Sequence, residues 1–430
     1  MFIFVVLKKR IILISIIKLY IFIIMETNIL SLSPEQRAEI ARDIERKITE
    51  GLEKEDQEIR CLPTYIDPLK EIKTGKVLVV DWGGTNFRAA IIEFFENKAP
   101  EIIESVKTKM SAEETAGFKQ EDLFKAMAVE IRKLKQLDKN IKSIGYCFSY
   151  PAESTLSGDA VLLYWTKGIE IPDMVGKLVG KPLLQYLNDN LDNVNFERIA
   201  VLNDTVACLF GGISKPGYGA YLGLIVGTGT NMASTMVANK VKKLNKAYKG
   251  ESILINTESG NFHPPFLTFI DDIVDADSNN KGKQRFEKAI SGKYLSEIFR
   301  KMFPYSSFKT EKFDTGTLND IVNYPDIYKE KYVDASRWIF DRSAKLVAAS
   351  LAGLIFVLKL QDASLNKILL TAEGSLFWCK DRIGTDYNKV VLQELNRLLV
   401  EKGYDSVSVE ICEVPDANLI GSAVAALSLK

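Results

Sequence analysis

The chain has 430 residues, 47% apolar and 26% charged, with 56 basic side chains balancing 56 acidic ones. That length suits two ordinary domains or one fold of two lobes, each able to bury a core. The charge balance excludes a field of one sign that would draw nucleic acid or an anionic surface, so a phosphate ligand must be held locally by backbone N–H groups and a few placed cations.

Cys61, Cys147, Cys208, Cys379 and Cys412 are scattered, odd in number and without a CxxC pair. This argues against a disulfide framework or zinc site and for reduced thiols in a cytoplasmic protein, with Cys147 and Cys208 packed in the core. His263, the one histidine, sits beside Pro264-Pro265 and reads as a loop residue. Ser-His-Asp and His-ligated metal chemistry are thereby excluded, and proton transfer falls to carboxylates.

Residues 1–25 are strongly apolar, but Lys8, Lys9, Arg10 and Lys18 interrupt them. No unbroken run reaches the ~20 residues that span a bilayer, and no small-residue cleavage site follows. Three readings fit: an interfacial anchor, a poorly inserting signal-like segment, or translated upstream sequence with Met25 as the start. The third is preferred, because an ordinary helix start follows: Ser33 as N-cap, Pro34 in the first turn and Gln36 completing a capping box. No membrane partner is expected unless residues 1–24 are native.

Residues 34–60 have helical spacing and read as an exposed amphipathic helix. Strands are expected at 77–81 and 89–95, joined by a hairpin turn at Gly83-Gly84. A helix over 121–137 precedes a strand at 144–148. Further strands at 199–202, 223–226 and 369–371 close on Asn203-Asp204-Thr205, Gly227-Thr228-Gly229 and Glu373-Gly374-Ser375. Long helical patterns cover 283–303 and 334–359. The order indicates an α/β fold. Strands ending in polar or glycine clusters imply one cleft fed by several loops, since ligands collect at the carboxyl ends of strands in open α/β sheets.

The segment VLVVDWGGTNFRAAIIEF, residues 77–94, joins a strand, Asp81, a two-glycine turn and a return strand. Such a turn lets N–H groups approach phosphate oxygens. Thr85 and Asn86 add polar contacts, Arg88 offers positive charge, and Asp81 is suited to hold magnesium through water. It is not a Walker loop, because the glycines join strand to strand. GLIVGTGTNMA, residues 223–233, supplies a second glycine turn, suited to the other end of a triphosphate. In IAVLNDTVACL, Asp204 ends a hydrophobic strand, where partial desolvation favours general-base work. The competing reading is that Asp204 or Thr205 caps a helix through 206–210. Ser149, Thr166 and Lys167 put hydroxyl and ammonium groups among aromatic residues, a mixture suited to polyols, and Glu258 and Glu287 are further candidates for binding hydroxyls.

Taken in order, DWGGTNFR, FSYP, WTKG, LNDTV, GLIVGTGTN, GKQRFEKAISGKYL and LLTAEGSLFW resemble the hexokinase family over about residues 77–377. The resemblance implies a two-lobed actin-like ATPase (ribonuclease H-like) fold with an interlobe cleft. It implies a helix and linker over 26–75 after the N-terminal extension, a small lobe over 76–208, and a large lobe over 209–430 whose last helix, about 416–430, returns to the small lobe. It implies a hexose site of Ser149, Thr166, Lys167, Asn203, Asp204, Asn231, Glu258 and Glu287, with Asp204 as base and Arg88 and Lys167 assisting. Gly83, Gly84, Thr85, Asn86 and Arg88 would meet phosphate, Gly227, Thr228, Gly229 and Thr230 would form the second phosphate turn, and Gly374 and Ser375 the adenosine motif. The implied substrates are a hexose and ATP with Mg²⁺, the reaction the first step of glycolysis, and the assembly a monomer or homodimer. Three places depart from the family pattern: Glu373 stands for Asp, Ser259-Gly260-Asn261 follow Glu258, and Asp416-Ala417-Asn418-Leu419 replace Asp-Gly-Ser-Gly. The alternatives are a sugar-binding regulator without catalysis and a filament or chaperone ATPase on the same fold.

Overall fold

The computed structural model describes residues 28–67, 73–309, 313–380 and 386–429. The three readings of residues 1–25 therefore lie outside the described residues. Helix α1 (Pro34–Glu53) opens with the anticipated capping box: Gln36 N donates to Ser33 Oγ at 3.2 Å and Ser33 N to Gln36 Oε1 at 2.8 Å. It is not an exposed helix. Ile40, Ala41, Ile44, Ile48 and Leu52 form a stripe at helical spacing that is buried in the core of the large lobe.

Strand β1 (Leu62–Thr64) follows, then a meander of β2 (Gly75–Trp82), β3 (Asn86–Phe94) and β4 (Glu101–Lys109). Helix α2 (Gln120–Ile131) ends earlier than its expected 137, where Leu134 N turns back to Ile131 O at 3.0 Å. Strand β5 (Ser143–Phe148) runs parallel to β2. A small hairpin, β6 (Ala152–Ser154) with β7 (Ala160–Leu162), and helix α3 (Gly180–Asn190) precede β8 (Arg198–Leu202), which is parallel to β5. The small-lobe sheet has the order β4-β3-β2-β5-β8.

Helix α4 (Asp204–Ile213) crosses to the second sheet. There β9 (Ala220–Val226), β10 (Thr230–Val237) and β11 (Ser252–Asn256) form another meander. Helices α5 (Phe269–Ala276), α6 (Arg285–Ile290), α7 (Gly292–Met302), α8 (Thr315–Asn323) and α9 (Glu330–Gln361) come next. Strand β12 (Lys367–Glu373), helix α10 (Tyr387–Glu401), strand β13 (Ser408–Cys412) and helix α11 (Ala417–Ser428) complete the chain. The sheet order is β1-β11-β10-β9-β12-β13, with β12 parallel to both β9 and β13. Each lobe thus repeats one plan, a three-stranded meander followed by two parallel strands. This duplication is the two-lobed actin-like ATPase fold.

The period-two alternation of β2 divides its two faces. Leu78, Val80 and Trp82 pack with Leu123 and Met127 of α2 and Leu183 of α3. Val77 and Val79 pack with Val206 and Phe210 of α4 and Ala423 and Val424 of α11, in a core that also takes in Tyr221, Ala233 and Leu369 of the large-lobe sheet. Helices α4 and α11 touch so closely that a Cβ on Gly421 would lie 1.8 Å from Ala207 O. Helix α9 is long and apolar enough to cross a membrane by composition, but 83% of its apolar window is buried inside the protein. It is the core helix of the large lobe.

The helical pattern over 283–303 is two helices rather than one. Ser291 is extended (φ −81°, ψ 152°), and Gly292 N donates to Gly227 O at 2.7 Å. The break lets the start of α7 dock on the second glycine turn. Cys61, Cys147 and Cys208 are buried, and all five cysteines are free thiols.

Candidate active site

Asp204 stands where β8 ends. The helix cap there is its neighbour: Asn203 (φ −66°, ψ 152°) accepts from Thr205 N at 2.9 Å, and Asp204 is the first helical residue. The reading of Asp204 or Thr205 as the cap is thereby corrected. Asp204 Oδ1 accepts from Thr205 N at 2.8 Å, while Oδ2 has no hydrogen bond among the described residues. The first turn of α4 so fixes one carboxylate oxygen and presents the other.

The first glycine turn joins β2 to β3 in antiparallel register, Trp82 opposite Phe87 and Asp81 opposite Arg88. Gly84 has φ +119°, a conformation that a residue with a Cβ rarely adopts. Thr85 and Asn86 are exposed at the tip. Arg88 donates from Nε (3.0 Å) and Nη2 (2.8 Å) to Asp81 Oδ2, and from Nη1 to Asp416 Oδ1 at 2.9 Å. Burial raises the Asp81 carboxyl above its ordinary range, and Arg88 only partly opposes this.

Lys167 ties the Trp165-Thr166-Lys167 segment to that turn. Its Nζ donates to Gly83 O and to Ser149 O, both at 2.8 Å, and lies 5.3 Å from the Tyr150 ring centre. Ser149 is buried and Thr166 half-buried. Beneath them Trp82, Phe148, Tyr150 and Trp165 form an aromatic floor, the Tyr150 and Trp165 rings 4.8 Å apart.

The large lobe supplies the opposite wall. Asn231 Nδ2 donates to Asn256 Oδ1 at 2.7 Å, and Asn256 Nδ2 donates to Glu258 Oε1 at 2.8 Å. Asn256 was not among the residues expected from sequence. It ends β11, and Glu258 follows two residues later in the left-handed conformation (φ +56°), a turn that the sequence does not mark. Glu287 Oε2 accepts from Thr230 N at 3.1 Å, so that amide is already occupied. Burial raises the carboxyls of both Glu258 and Glu287, the charge of Asp204 raises each further, and Lys167 holds Glu287 down. The charges of Asp204, Glu258, Glu287 and Lys167 therefore converge from both lobes on one space.

The second turn is braced by Gly374 and Ser375. Gly227 N donates to Gly229 O at 3.0 Å, and Lys293 N to Thr228 O at 3.3 Å. Gly374 has φ +114°, and a Cβ there would lie 2.2 Å from Val226 O. Ser375 N is 3.9 Å from where a Gly227 Cβ would stand, which brings the two motifs together. Two of the departures from the family pattern also meet. Asn418 N donates to Glu373 Oε1 at 3.3 Å, and Asp416 binds Arg88. The segment that carries the C-terminal departure thus reaches Arg88 of β3 through Asp416, the one residue of it that keeps the family pattern. Burial pushes the Glu373 carboxyl up to about 7, with the charges of Asp204 and Asp81 adding to it.

Among the described residues no three acidic, histidine or cysteine side chains gather into a metal cage. Asp81, a single carboxylate beside the first glycine turn, is the residue that would hold a magnesium ion, through water rather than in a cage of protein ligands.

Two hexokinase family models match the chain, at residues 26–213 and 221–335. It is 34% identical over 301 residues to a glucokinase of Aspergillus niger, a match covering 62% of this chain and 60% of that protein. Hexokinase-7 of Oryza sativa subsp. japonica is 27% identical over 439 residues, covering 90% of this chain and 92% of the relative. The Schistosoma mansoni hexokinase solved with glucose superposes with a TM-score of 0.76 at 24% identity, covering 95% of this chain and 98% of that one. More distantly, a ROK family protein of Streptococcus pneumoniae shares the fold with a TM-score of 0.51 at 15% identity. With two family models spanning most of the chain and the fold to match, this protein belongs to the hexokinase family, enzymes that phosphorylate hexoses.

Proposed function

We propose that the chain transfers the γ-phosphoryl group of MgATP to the 6-hydroxyl of a hexose, with glucose as the preferred acceptor and Asp204 as the general base. The observation that carries this reading is the convergence of Asp204, Glu258, Glu287 and Lys167 beside the Gly83-Gly84 turn. Carboxylates and amides accept and donate to sugar hydroxyls, and the aromatic floor suits the apolar face of the ring.

Asp204 Oδ2 takes the hydroxyl proton as the oxygen attacks phosphorus. Oδ1 stays anchored to Thr205 N, so the base is held in orientation. Backbone N–H groups of Gly83 through Asn86 and of Thr228 and Gly229 would meet the triphosphate, the Gly227 N–H being held by Gly229 O, and Arg88 adds positive charge at the first turn. Ser149, Thr166, Asn203 and Asn231 orient the sugar. Asp81 is the residue that would hold a nucleotide-borne magnesium ion through water, and the ion would supply neutralisation of phosphate charge. Gly374 and Ser375 would meet the adenosine. Water is a competing nucleophile in large excess, and closure of the lobes on the sugar excludes it.

Asp204→Ala is expected to lower turnover about 10²–10⁴-fold while leaving the circular dichroism spectrum unchanged. Turnover within about tenfold of wild type would sink the assignment. An ADP-release assay with glucose, fructose, mannose and N-acetylglucosamine tests the acceptor, and sugar-independent ATP hydrolysis as the sole activity would overturn it.

A further inference from the structure

Arg60 and Tyr164 belong to none of the motifs above. Arg60 precedes β1 at the edge of the large-lobe sheet, and Lys243 Nζ fixes its carbonyl there at 2.6 Å. Tyr164 stands on the small lobe just before Trp165-Thr166-Lys167 and is 40% exposed. The Arg60 guanidinium lies over the Tyr164 ring, 5.7 Å from its centre. Among the described residues that guanidinium makes no ion pair, so the ring is its partner. Both groups feel Glu258: its charge raises the Tyr164 phenol, and Arg60 opposes the rise of the Glu258 carboxyl. The contact therefore spans the two lobes at the rim of the hexose space.

We propose that Arg60 and Tyr164 form a latch that holds the lobes together over a bound hexose. An attraction within one lobe is made whether the cleft is open or closed, and biases nothing. An attraction between lobes is made only when they meet, so all of it counts toward closure. An exposed cation–π pair is worth about 0.5–1 kcal/mol, or about 2–5-fold in an equilibrium constant. That is enough to slow escape of the sugar and small enough to be broken in every turnover. Tyr164 is two residues from Thr166 and three from Lys167, so docking its ring also steadies that segment. Arg60 and Tyr164 are positioning residues, since neither meets the reacting atoms.

The latch rests on the hexose site proposed above, and the test separates the two. Glucose affinity is measured without nucleotide by calorimetry and by the fluorescence of Trp82 and Trp165, and kcat and KM are measured with MgATP. Tyr164→Ala and Arg60→Ala are each expected to raise the glucose Kd and KM about 2–5-fold, with kcat nearly unchanged. The double variant should be no weaker than either single one. Tyr164→Phe should match wild type, because the face of the ring remains. Additive losses in the double variant, a Tyr164→Phe as weak as Tyr164→Ala, or an unchanged Kd would each overturn the latch. Glu258→Ala, run alongside, should lose glucose binding. If it does while the latch variants bind normally, the latch alone fails; if it binds glucose as wild type does, the hexose site fails and the latch with it.

Discussion

Lys167 Nζ donates to the carbonyl of Gly83 at 2.8 Å, so a lysine from the hydroxyl-binding segment is fastened to the turn that would hold phosphate. A second bond, to Ser149 O, ties the same ammonium to the end of β5. The two halves of the small-lobe site are thereby one rigid unit. Removing Lys167 should misalign acceptor and donor together, since positioning supplies much of the rate in phosphoryl transfer. Lys167→Ala is expected to lower kcat about 10²–10³-fold. Lys167→Arg should not restore it, because a planar fork cannot make the same two bonds from one point. Steady-state kinetics with both substrates varied would check this; rescue by arginine would mean that bulk charge, not the tether, is what matters.

Gly84, next to Gly83, packs against the stem of Lys167. A Cβ there would lie 2.9 Å from Lys167 Cδ, and the backbone sits at φ +119°. Both strain and crowding oppose a side chain. Gly84→Ala should lower Tm and also raise KM for MgATP, because the turn must shift to make room. Gly75 has a similar φ of +130° but open space around it. Gly75→Ala should lower Tm without changing KM, so comparing the two separates backbone strain from damage to the site. Equal KM values in the two variants would count against a phosphate role for the turn.

How much of this could be read from sequence depended on whether a signal was local. The β2 strand, its Gly-Gly turn and the β8 strand stand out because apolar runs end abruptly in Gly, Asn or Asp. Strand β4, which reads EIIESVKTK, was not foreseen: it is a largely exposed edge strand, and no apolar face marks it. Strand β10, TNMASTMV, hides behind buried Ser234 and Thr235, whose hydroxyls are satisfied by Thr235 O and by Tyr221 N of β9. The cap at Asn203 and the proposed base at Asp204 are adjacent, so composition could not say which residue did which. The meeting of Arg88 with Asp416 joins residues 328 apart in the chain, beyond the reach of any local pattern.

That meeting has a consequence for the donor site. Asp416 occupies Arg88 Nη1 and adds a negative charge beside the proposed phosphate turn. The pair is partly exposed, with side-chain exposures of 28% and 45%, so its worth to stability is about 0–1 kcal/mol. Asp416→Ala should therefore change Tm little. It should lower KM for MgATP, since Arg88 gains a free donor and the triphosphate loses a repulsive neighbour. The KM for hexose should stay put. A higher KM for MgATP would mean instead that Asp416 holds Arg88 in its working position.

Glu373 gives a prediction in pH. Its carboxyl titrates at about 7 against an ordinary value of 4.5, because burial disfavours the anion, and Asp204 and Asp81 add repulsion that the Asn418 N–H and Arg88 only partly offset. The folded state thus holds this proton more tightly than the unfolded chain does. The resulting stabilisation is fully present below the unfolded value and is lost as pH rises through about 7. Glu373→Gln stays neutral throughout and escapes the loss. Asp81, Glu258 and Glu287 are raised as well, but they are present in both proteins, so their contribution largely cancels in the comparison. The Tm of Glu373→Gln minus that of wild type should therefore grow between pH 5 and pH 8, by the linkage between proton uptake and stability. The same ionisation puts a new negative charge at the phosphate end, so KM for MgATP should rise over that range in wild type and stay flatter in the variant. Differential scanning calorimetry in buffers of matched ionic strength reads the first effect. A Tm difference that does not vary with pH would show that Glu373 ionises like an ordinary surface carboxylate.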